Sequence, residues 1–385
     1  MAKKANTVTG TLSVTSKGFG FVRVDDGADV FIDVEHLNTA MDGDVVQAQL
    51  VGTSRDRPAG KVLRIVERSG RVIVGIFHAV DAGGEVHPED DRIPASLFIP
   101  QKHIRELSES AELATGKVVT AQLERWTDPE KQPIGRILSV VGDQDESGMD
   151  MKIVALSKGL SIEFPDAVMR EAKALSEPDM EKEASRRKDY RSLTCFTIDP
   201  RTARDFDDAL SITQRKDGLF EVGVHIADVS AFVRKGGAID QEAFRRGTSV
   251  YFVGTAINML PERIAGDLAS LVPKKDRLAL SVFMVLDARG TVHDRRVEQT
   301  IIRSSHRFTY EEVESITKGT QHRYAKELQL LQLLSHVLRS RRETQGSVDF
   351  DVAGKVVVLD KDGIPRAIRP AERLESHRLV AEFML

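Results

Sequence analysis

Cysteine is almost absent: Cys195 is the only one in 385 residues, which excludes disulfide frameworks and cysteine-built zinc sites within the chain. It lies inside the run Leu193-Thr194-Cys195-Phe196 and reads as a small core residue, not a nucleophile. Long hydrophobic runs are also lacking. None approaches the ~20 residues of a membrane span, and Met1-Ala2-Lys3-Lys4-Ala5-Asn6 leads into no apolar signal core. A cytoplasmic location with no membrane partner is expected. The third absence is an excess of positive charge: the formal net charge is −4, so any nucleic-acid path must be a local channel. Tryptophan occurs once, at Trp126, and serves either as core or as a platform for a base. The rest, 41% hydrophobic and 30% charged, is the composition of a soluble globular protein long enough for two to three domains.

What is present in excess is carboxylate at one place. Thr197-Ile198-Asp199-Pro200-Arg201-Thr202-Ala203-Arg204-Asp205-Phe206-Asp207-Asp208-Ala209-Leu210 puts Asp199, Asp205, Asp207 and Asp208 within ten residues. Like charges so close repel one another and shift each other's titration unless cations, arginines or water intervene. Hard oxygen donors grouped this way suit Mg²⁺, with Mn²⁺ as the alternative, and point to metal-assisted phosphoryl chemistry. A calcium loop counted from Asp205 would need Gly at position six and Glu at twelve, where Leu210 and Lys216 stand. A solvated acidic turn fits poorly, because Phe196 and Ile198 before the cluster and Ala209, Leu210 and Ile212 after it make it a link between two buried strands.

The same segment resembles the catalytic signature of the ribonuclease II and ribonuclease R family of 3′-to-5′ exoribonucleases, Thr-Ile-Asp-x-x-x-Ala-Arg-Asp-Phe-Asp-Asp-Ala. Further blocks follow in the family's order: Val224-His225-Ile226-Ala227-Asp228-Val229-Ser230, Arg246-Gly247-Thr248-Ser249-Val250-Tyr251-Phe252, Met259-Leu260-Pro261-Glu262 and Asp276-Arg277-Leu278-Ala279. Gly346-Ser347-Val348-Asp349-Phe350-Asp351 and His377-Arg378-Leu379-Val380-Ala381-Glu382-Phe383-Met384 extend the resemblance almost to Leu385. It implies processive, hydrolytic degradation of single-stranded RNA from a free 3′ end to nucleoside 5′-monophosphates, by a monomer working in RNA decay and quality control. It also implies that Asp199 and Asp208 hold a tightly bound Mg²⁺, while Asp205 and Asp207 serve a second ion and the attacking water. Tyr251 and Phe350 match positions whose rings hold the last bases. Tyr310 and Glu382 match residues on the ribose side, where the 2′-hydroxyl is read. His225, in an alternating strand, is expected to be a hydrogen-bonded scaffold residue and not a base. The family's downstream His-Phe-Thr-Ser-Pro-x-Arg-Arg-Tyr stretch, with its phosphate-clamping arginine, has no counterpart here, so a truncated catalytic domain is expected. The alternative function is an RNA-binding protein whose incomplete catalytic module is inactive.

Ahead of the catalytic domain, five short strands over 7–67 predict an OB-type barrel. In it Lys17-Gly18-Phe19-Gly20-Phe21-Val22 and Asp29-Val30-Phe31-Ile32 resemble the aromatic motifs of cold-shock domains. Phe19, Phe21 and Phe31, flanked by Lys17 and Arg23, would present stacking surfaces to unpaired bases. A weak repeat predicts a second OB barrel over 70–142: Val46-Gln47-Ala48-Gln49-Leu50 recurs as Val119-Thr120-Ala121-Gln122-Leu123, and Pro58–Val66 recurs as Pro133–Val141. A linker with one helix is expected over 143–190, then the α+β catalytic domain over 191–385. Arg186-Arg187-Lys188 reads as a solvated helix face, with contact to phosphates as the alternative. The leucines of Tyr324–Arg342 read as the buried stripe of an amphipathic helix, with Arg339, Arg341 and Arg342 left to reach solvent or RNA.

Overall fold

The computed structural model describes residues 6–25, 27–54, 57–107, 112–348, 354–361 and 363–385. They fall into two compact units, Met1–Glu163 and Phe164–Leu385.

The first unit holds two closed five-stranded barrels. One is built from β1 (Thr7–Val14), β2 (Gly20–Arg23), β3 (Val30–Ile32), β4 (Val45–Ser54) and β5 (Arg57–Glu67), in the order β1-β2-β3-β5-β4. The other uses β6 (Val72–Val80), β7 (Gly83–Pro88), β8 (Leu97–Pro100), β9 (Lys117–Arg125) and β10 (Ile134–Asp143) in the matching order β6-β7-β8-β10-β9. The sequence repeat therefore pairs β4 with β9 and β5 with β10, and these OB barrels share one topology. Strict alternation fills each interior: Leu12, Val22, Ile32, Val46 and Ala48 in the first, Ile73, Val86, Leu97, Ile99 and Val119 in the second. The second core is tight enough that a Cβ on Gly84 would lie 2.1 Å from the Phe77 ring, so only glycine fits there. Trp126 is a core residue, 8% exposed, with its indole N–H donated to the Lys131 carbonyl at 3.0 Å. Arg68 joins the barrels by donating to the Thr39 carbonyl (2.7 Å) and the Trp126 carbonyl (3.0 Å) while pairing with buried Asp44. Helix α1 (Gln101–Glu106) follows β8, and α2 (Met149–Ser157) closes the second barrel by placing Met149 on Val74 and Val118.

The second unit is a seven-stranded sheet with helices on both faces. In chain order its parts are α3 (Asp166–Ala174), α4 (Met180–Ala184), β11 (Lys188–Tyr190), β12 (Cys195–Asp199), β13 (Asp208–Gln214), β14 (Phe220–Ala227), α5 (Ala238–Arg246), the hairpin β15 (Val250–Phe252) and β16 (Thr255–Ile257), and the long pair β17 (Asp276–Leu286) and β18 (Val292–Arg303). There follow β19 (His306–Thr309), α6 (Tyr310–Thr317), α7 (Ala325–Thr344), the hairpin β20 (Lys355–Leu359) and β21 (Pro365–Pro370), and α8 (Glu375–Met384). The sheet order is β11-β18-β17-β14-β13-β12-β19. Every residue of β12 is buried, as a central strand covered on both faces should be. One face carries Phe196, Leu210, Val222 and Phe308 beneath Leu328, Leu331 and Leu334 of α7 and Leu379 of α8. The other carries Cys195, Ala209, Ala279 and Ile301 with Val168 of α3 and Ile239 of α5. Burial pushes the Cys195 thiol up to about 12, consistent with a core residue.

The segment 143–190 divides between the units. Its first helix packs on the second barrel, whereas α3, α4 and β11 belong to the second unit, where β11 pairs in parallel with Thr300–Ile302. Arg187 is not on a solvated face: its side chain is 3% exposed and paired with Glu183 (2.9 Å) and Asp228 (2.6 Å).

His225 anchors the sheet centre. Its ring lies 2.9 Å from Ser211 Oγ and 2.7 Å from Ser281 Oγ, and Ser281 in turn bonds Thr300 Oγ1 at 2.6 Å. A Cβ on neighbouring Gly223 would meet Ser211 Oγ at 2.4 Å, so this polar thread depends on a glycine beside it. Burial pushes the His225 pKa down to about 4. The neutral ring is therefore favoured in the fold, and its contribution is whole above about pH 6.5, fading as pH falls toward 4, with ~3 kcal/mol at stake. Urea unfolding at pH 7 and pH 4.5 should show a pH-dependent loss that is smaller by about 2–3 kcal/mol in His225→Gln, whose amide cannot titrate. Equal losses in the two proteins would mean that the histidine is not held neutral.

Candidate active site

Asp199 ends β12 and Asp208 begins β13, strands that pair antiparallel at Cys195↔Ser211 and Phe196↔Leu210. The link 200–207 is fastened by its backbone. Phe206 N–H donates to Ser270 Oγ (3.0 Å), which itself donates to the Arg204 carbonyl (3.2 Å). Leu271 N–H donates to the Phe206 carbonyl and Ala227 N–H to the Asp207 carbonyl, each at 2.8 Å. The loop is thus held from β14 and from the segment before β17, and its carboxylates are free to serve something else.

Asp199 is 7% exposed and its Oδ2 is buried without a hydrogen-bond partner. Burial first, then the Asp208 and Asp205 charges, push its carboxyl up to about 6, against the Thr197 hydroxyl and, more weakly, Arg307, which pull the other way. Asp208 is likewise pushed up to about 6 by burial and by Asp207. Asp207 is reachable by solvent yet ringed by protein, and burial followed by the Asp205 charge raises it too. None of the four makes an ion pair with Lys, Arg or His among the described residues. Two tyrosines feel the cluster from different sides. Tyr310, at the start of α6, has its phenol pushed up to about 12 by burial, Asp199 and Asp208. Tyr251, 71% exposed on β15, is raised by burial and by Asp205 and Asp207. An all-oxygen donor set with an orphaned buried oxygen and like charges raising one another fits a hard divalent cation. Among the described residues, however, no three His, Cys, Asp or Glu side chains are grouped closely enough to hold a metal ion.

The RNB domain family matches residues 187–385, the Ribonuclease B OB domain residues 10–65, and the Cold shock domain residues 86–165. This chain belongs to the ribonuclease II/R family. Ribonuclease R of Aquifex aeolicus is 33% identical over 98% of this chain and 54% of its own length, and that of Thermotoga maritima 35% identical over 98% and 53%. The chain therefore spans about half the length of these curated relatives. Among solved structures, Mycoplasma genitalium RNase R in complex with ribose methylated single-stranded RNA shares the fold with a TM-score of 0.89 at 23% identity, over 98% of this chain and 60% of that one. Yeast Ssd1, a pseudonuclease, shares it with a TM-score of 0.69 at 18% identity, over 98% and 53%. The cold-shock match falls on the second barrel, while the first, with its Phe-Gly-Phe motif, matches the ribonuclease family's own OB domain.

The structure couples the aspartates pairwise, Asp199 with Asp208 and Asp205, Asp207 with Asp205 and Asp208 with Asp207, and sets Tyr310 near Asp199 and Asp208 and Tyr251 near Asp205 and Asp207. It gives Glu382 a different neighbour: the carboxylate, 7% exposed, pairs with Arg342 of α7 at 2.9 Å. Arg339 and Arg341 are also engaged within the protein, with Glu375 and the Gly290 carbonyl. Phe350 lies outside the described residues. On the first barrel Phe21 and Phe31 face each other across β2 and β3, and with Phe19 they form a triangle of half-buried rings 5.6–5.9 Å apart. They alternate with core residues Val22, Val30 and Ile32 and so lie on the outer face. Residues not foreseen are Ser270, Arg307 and His377, whose ring stacks on Tyr310 at 3.9 Å and 16°. His377 stood inside a recognised block, but its partner on α6 is visible only once α8 is folded back.

Proposed function

We propose that this chain carries the active site of a metal-dependent, hydrolytic 3′-to-5′ exoribonuclease that acts on single-stranded RNA in the cytoplasm. The observation that carries the proposal is the run of four aspartates on a backbone-fastened loop, none with an ion-pair partner among the described residues, Asp199 offering an unpartnered buried oxygen. Mg²⁺ or Mn²⁺ bound there would supply an activated water and positive charge to offset that on the phosphate. Asp199 and Asp208 would hold the tighter ion, and Asp205 and Asp207 would orient the second and the water. Tyr251 offers an exposed ring to a terminal base, and Phe350 is assigned the same role. Water attack at phosphorus breaks the bond to the 3′ oxygen of the preceding nucleotide. Each released unit is then a nucleoside 5′-monophosphate, and the shortened strand keeps a 3′-hydroxyl for the next cycle. Tyr310, held protonated far above neutral pH, can donate to a ribose oxygen. Tyr310→Phe should therefore reduce the preference for RNA over DNA by about tenfold, read as the ratio of cleavage rates on matched oligomers. An unchanged ratio would leave the ring a structural role only.

One observation favours a second reading, an RNA-binding protein with an inactive catalytic module: no three potential ligands are grouped for a metal among the described residues. Incubating single-stranded RNA labelled along its whole length, beside a 5′-labelled copy, with the protein in Mg²⁺, in Mn²⁺ and in EDTA separates the two. Metal-dependent shortening from the 3′ end with release of mononucleotides supports the nuclease. RNA retained on the protein but intact in either metal supports the binder.

A further inference from the structure

Arg307 lies on β19, which pairs in parallel with β12 so that Thr197 and Arg307 are opposite one another. From there its side chain reaches the aspartate loop at both ends. One terminal nitrogen donates to the carbonyl of Pro200, the residue directly after Asp199. The guanidinium lies 5.6 Å from the ring of Phe206, between Asp205 and Asp207, within cation–π range. Arg307 Nε is buried without a partner, as is Asp199 Oδ2. A guanidinium brought this near a buried carboxylate would ordinarily close a bidentate pair with it. Here both groups are left open, at the cost that any unsatisfied buried donor and acceptor carry. The cation is spent on the backbone and the ring of the loop, and the carboxylate oxygen is kept available.

We infer that Arg307 is the positioning residue of the aspartate loop, bracing Pro200 against Phe206 so that Asp199 stays beside Asp208 and Asp205 without being neutralised by a direct ion pair. This goes beyond the proposed nuclease chemistry and rests on it only for the metal readout below. The competing role for Arg307 is charge compensation alone, and the two roles differ in sign. Removing a positive charge beside carboxylates, with geometry unchanged, would tighten their hold on a divalent cation. Removing a brace would loosen it.

The test uses the 385-residue chain with Arg307→Met and Arg307→Lys. In metal-free protein, amide hydrogen exchange across residues 201–207 should speed up by about tenfold or more in both variants, because an ammonium keeps the charge but cannot span two contacts. Mn²⁺ binding without RNA, followed by electron paramagnetic resonance, should weaken by about tenfold in Arg307→Met. Exchange unchanged from wild type, a lysine variant that behaves like wild type, or tighter Mn²⁺ binding by the methionine variant would overturn the inference. If wild type itself binds no Mn²⁺, the metal reading of the site fails and loop exchange alone decides the brace. Should Arg307→Met not fold by circular dichroism, Phe206→Leu removes the other anchor with Arg307 in place. It should loosen the same amides, and wild-type exchange there would equally overturn the inference.

Discussion

Asp207→Asn is expected to lower hydrolysis of single-stranded RNA by at least about a hundredfold while RNA affinity stays within about twofold. The substitution keeps side-chain size and removes one negative charge. The loop should survive it, because residue 207 is fastened through its backbone: the carbonyl accepts from Ala227 N–H at 2.8 Å, and no ion pair uses the side chain. The charge itself matters because Asp207 raises the titration of Asp208 and is raised in turn by Asp205, so Asp207 is coupled to a carboxylate on either side. Taking one away weakens any divalent ion they share and removes an acceptor that can orient the attacking water. The measurement is release of mononucleotides at saturating Mg²⁺, with RNA affinity determined separately in EDTA. Turnover close to wild type would remove Asp207 from the chemistry and shift the burden to Asp199, Asp205 and Asp208.

Much of the architecture was legible because it depends on local pattern. The apolar stretches around the aspartates became β12 and β13, and the leucine steps became the buried stripe of α7. The repeated segments became equivalent strands of two barrels with one topology. What could not be read is what arrives from far along the chain. Arg187 looked like part of a basic helix face, but Asp228 at the end of β14 meets it inside the protein, where a buried charge requires a partner. The Arg342 partner of Glu382, which the resemblance sets on the ribose side, comes only with the packing of α8 on α7. Arg307 carried no local signal at all. Its role follows from β19 pairing in parallel with β12, a neighbour more than a hundred residues away in sequence. Trp126 was undecided because burial of a lone indole depends on the Lys131 carbonyl and the barrel floor around it, neither of which has a sequence pattern.

The double replacement Phe19→Ala with Phe31→Ala is expected to weaken binding of a ~15-nucleotide single-stranded RNA by at least about 30-fold, since each stacked base contributes roughly 1–3 kcal/mol. The three rings lie on the outer face of β2, β3 and the turn before them, contacting one another at 5.6–5.9 Å, while the interior behind them is closed by Val22, Val30 and Ile32, each at most 2% exposed. Trimming an outward aromatic triangle on an OB barrel costs its mutual contacts, about 0.5–1.5 kcal/mol per pair, and part of its half-buried area but leaves the interior intact, so the barrel should remain folded. Positive charge at the margin supports the same face: Arg57 lies 6.0 Å from the Phe21 ring, and Lys17 and Arg23 are exposed beside it. Stacking is indifferent to base identity, so the loss should be similar on purine and pyrimidine strands. Hydrolysis of an oligomer too short to reach the barrel should hardly change. The decisive pair of measurements is RNA affinity and thermal unfolding on the same variant. Weakened affinity with an unshifted first-barrel transition assigns the rings to RNA, whereas loss of that transition together with affinity would show that Phe19 and Phe31 hold the barrel closed.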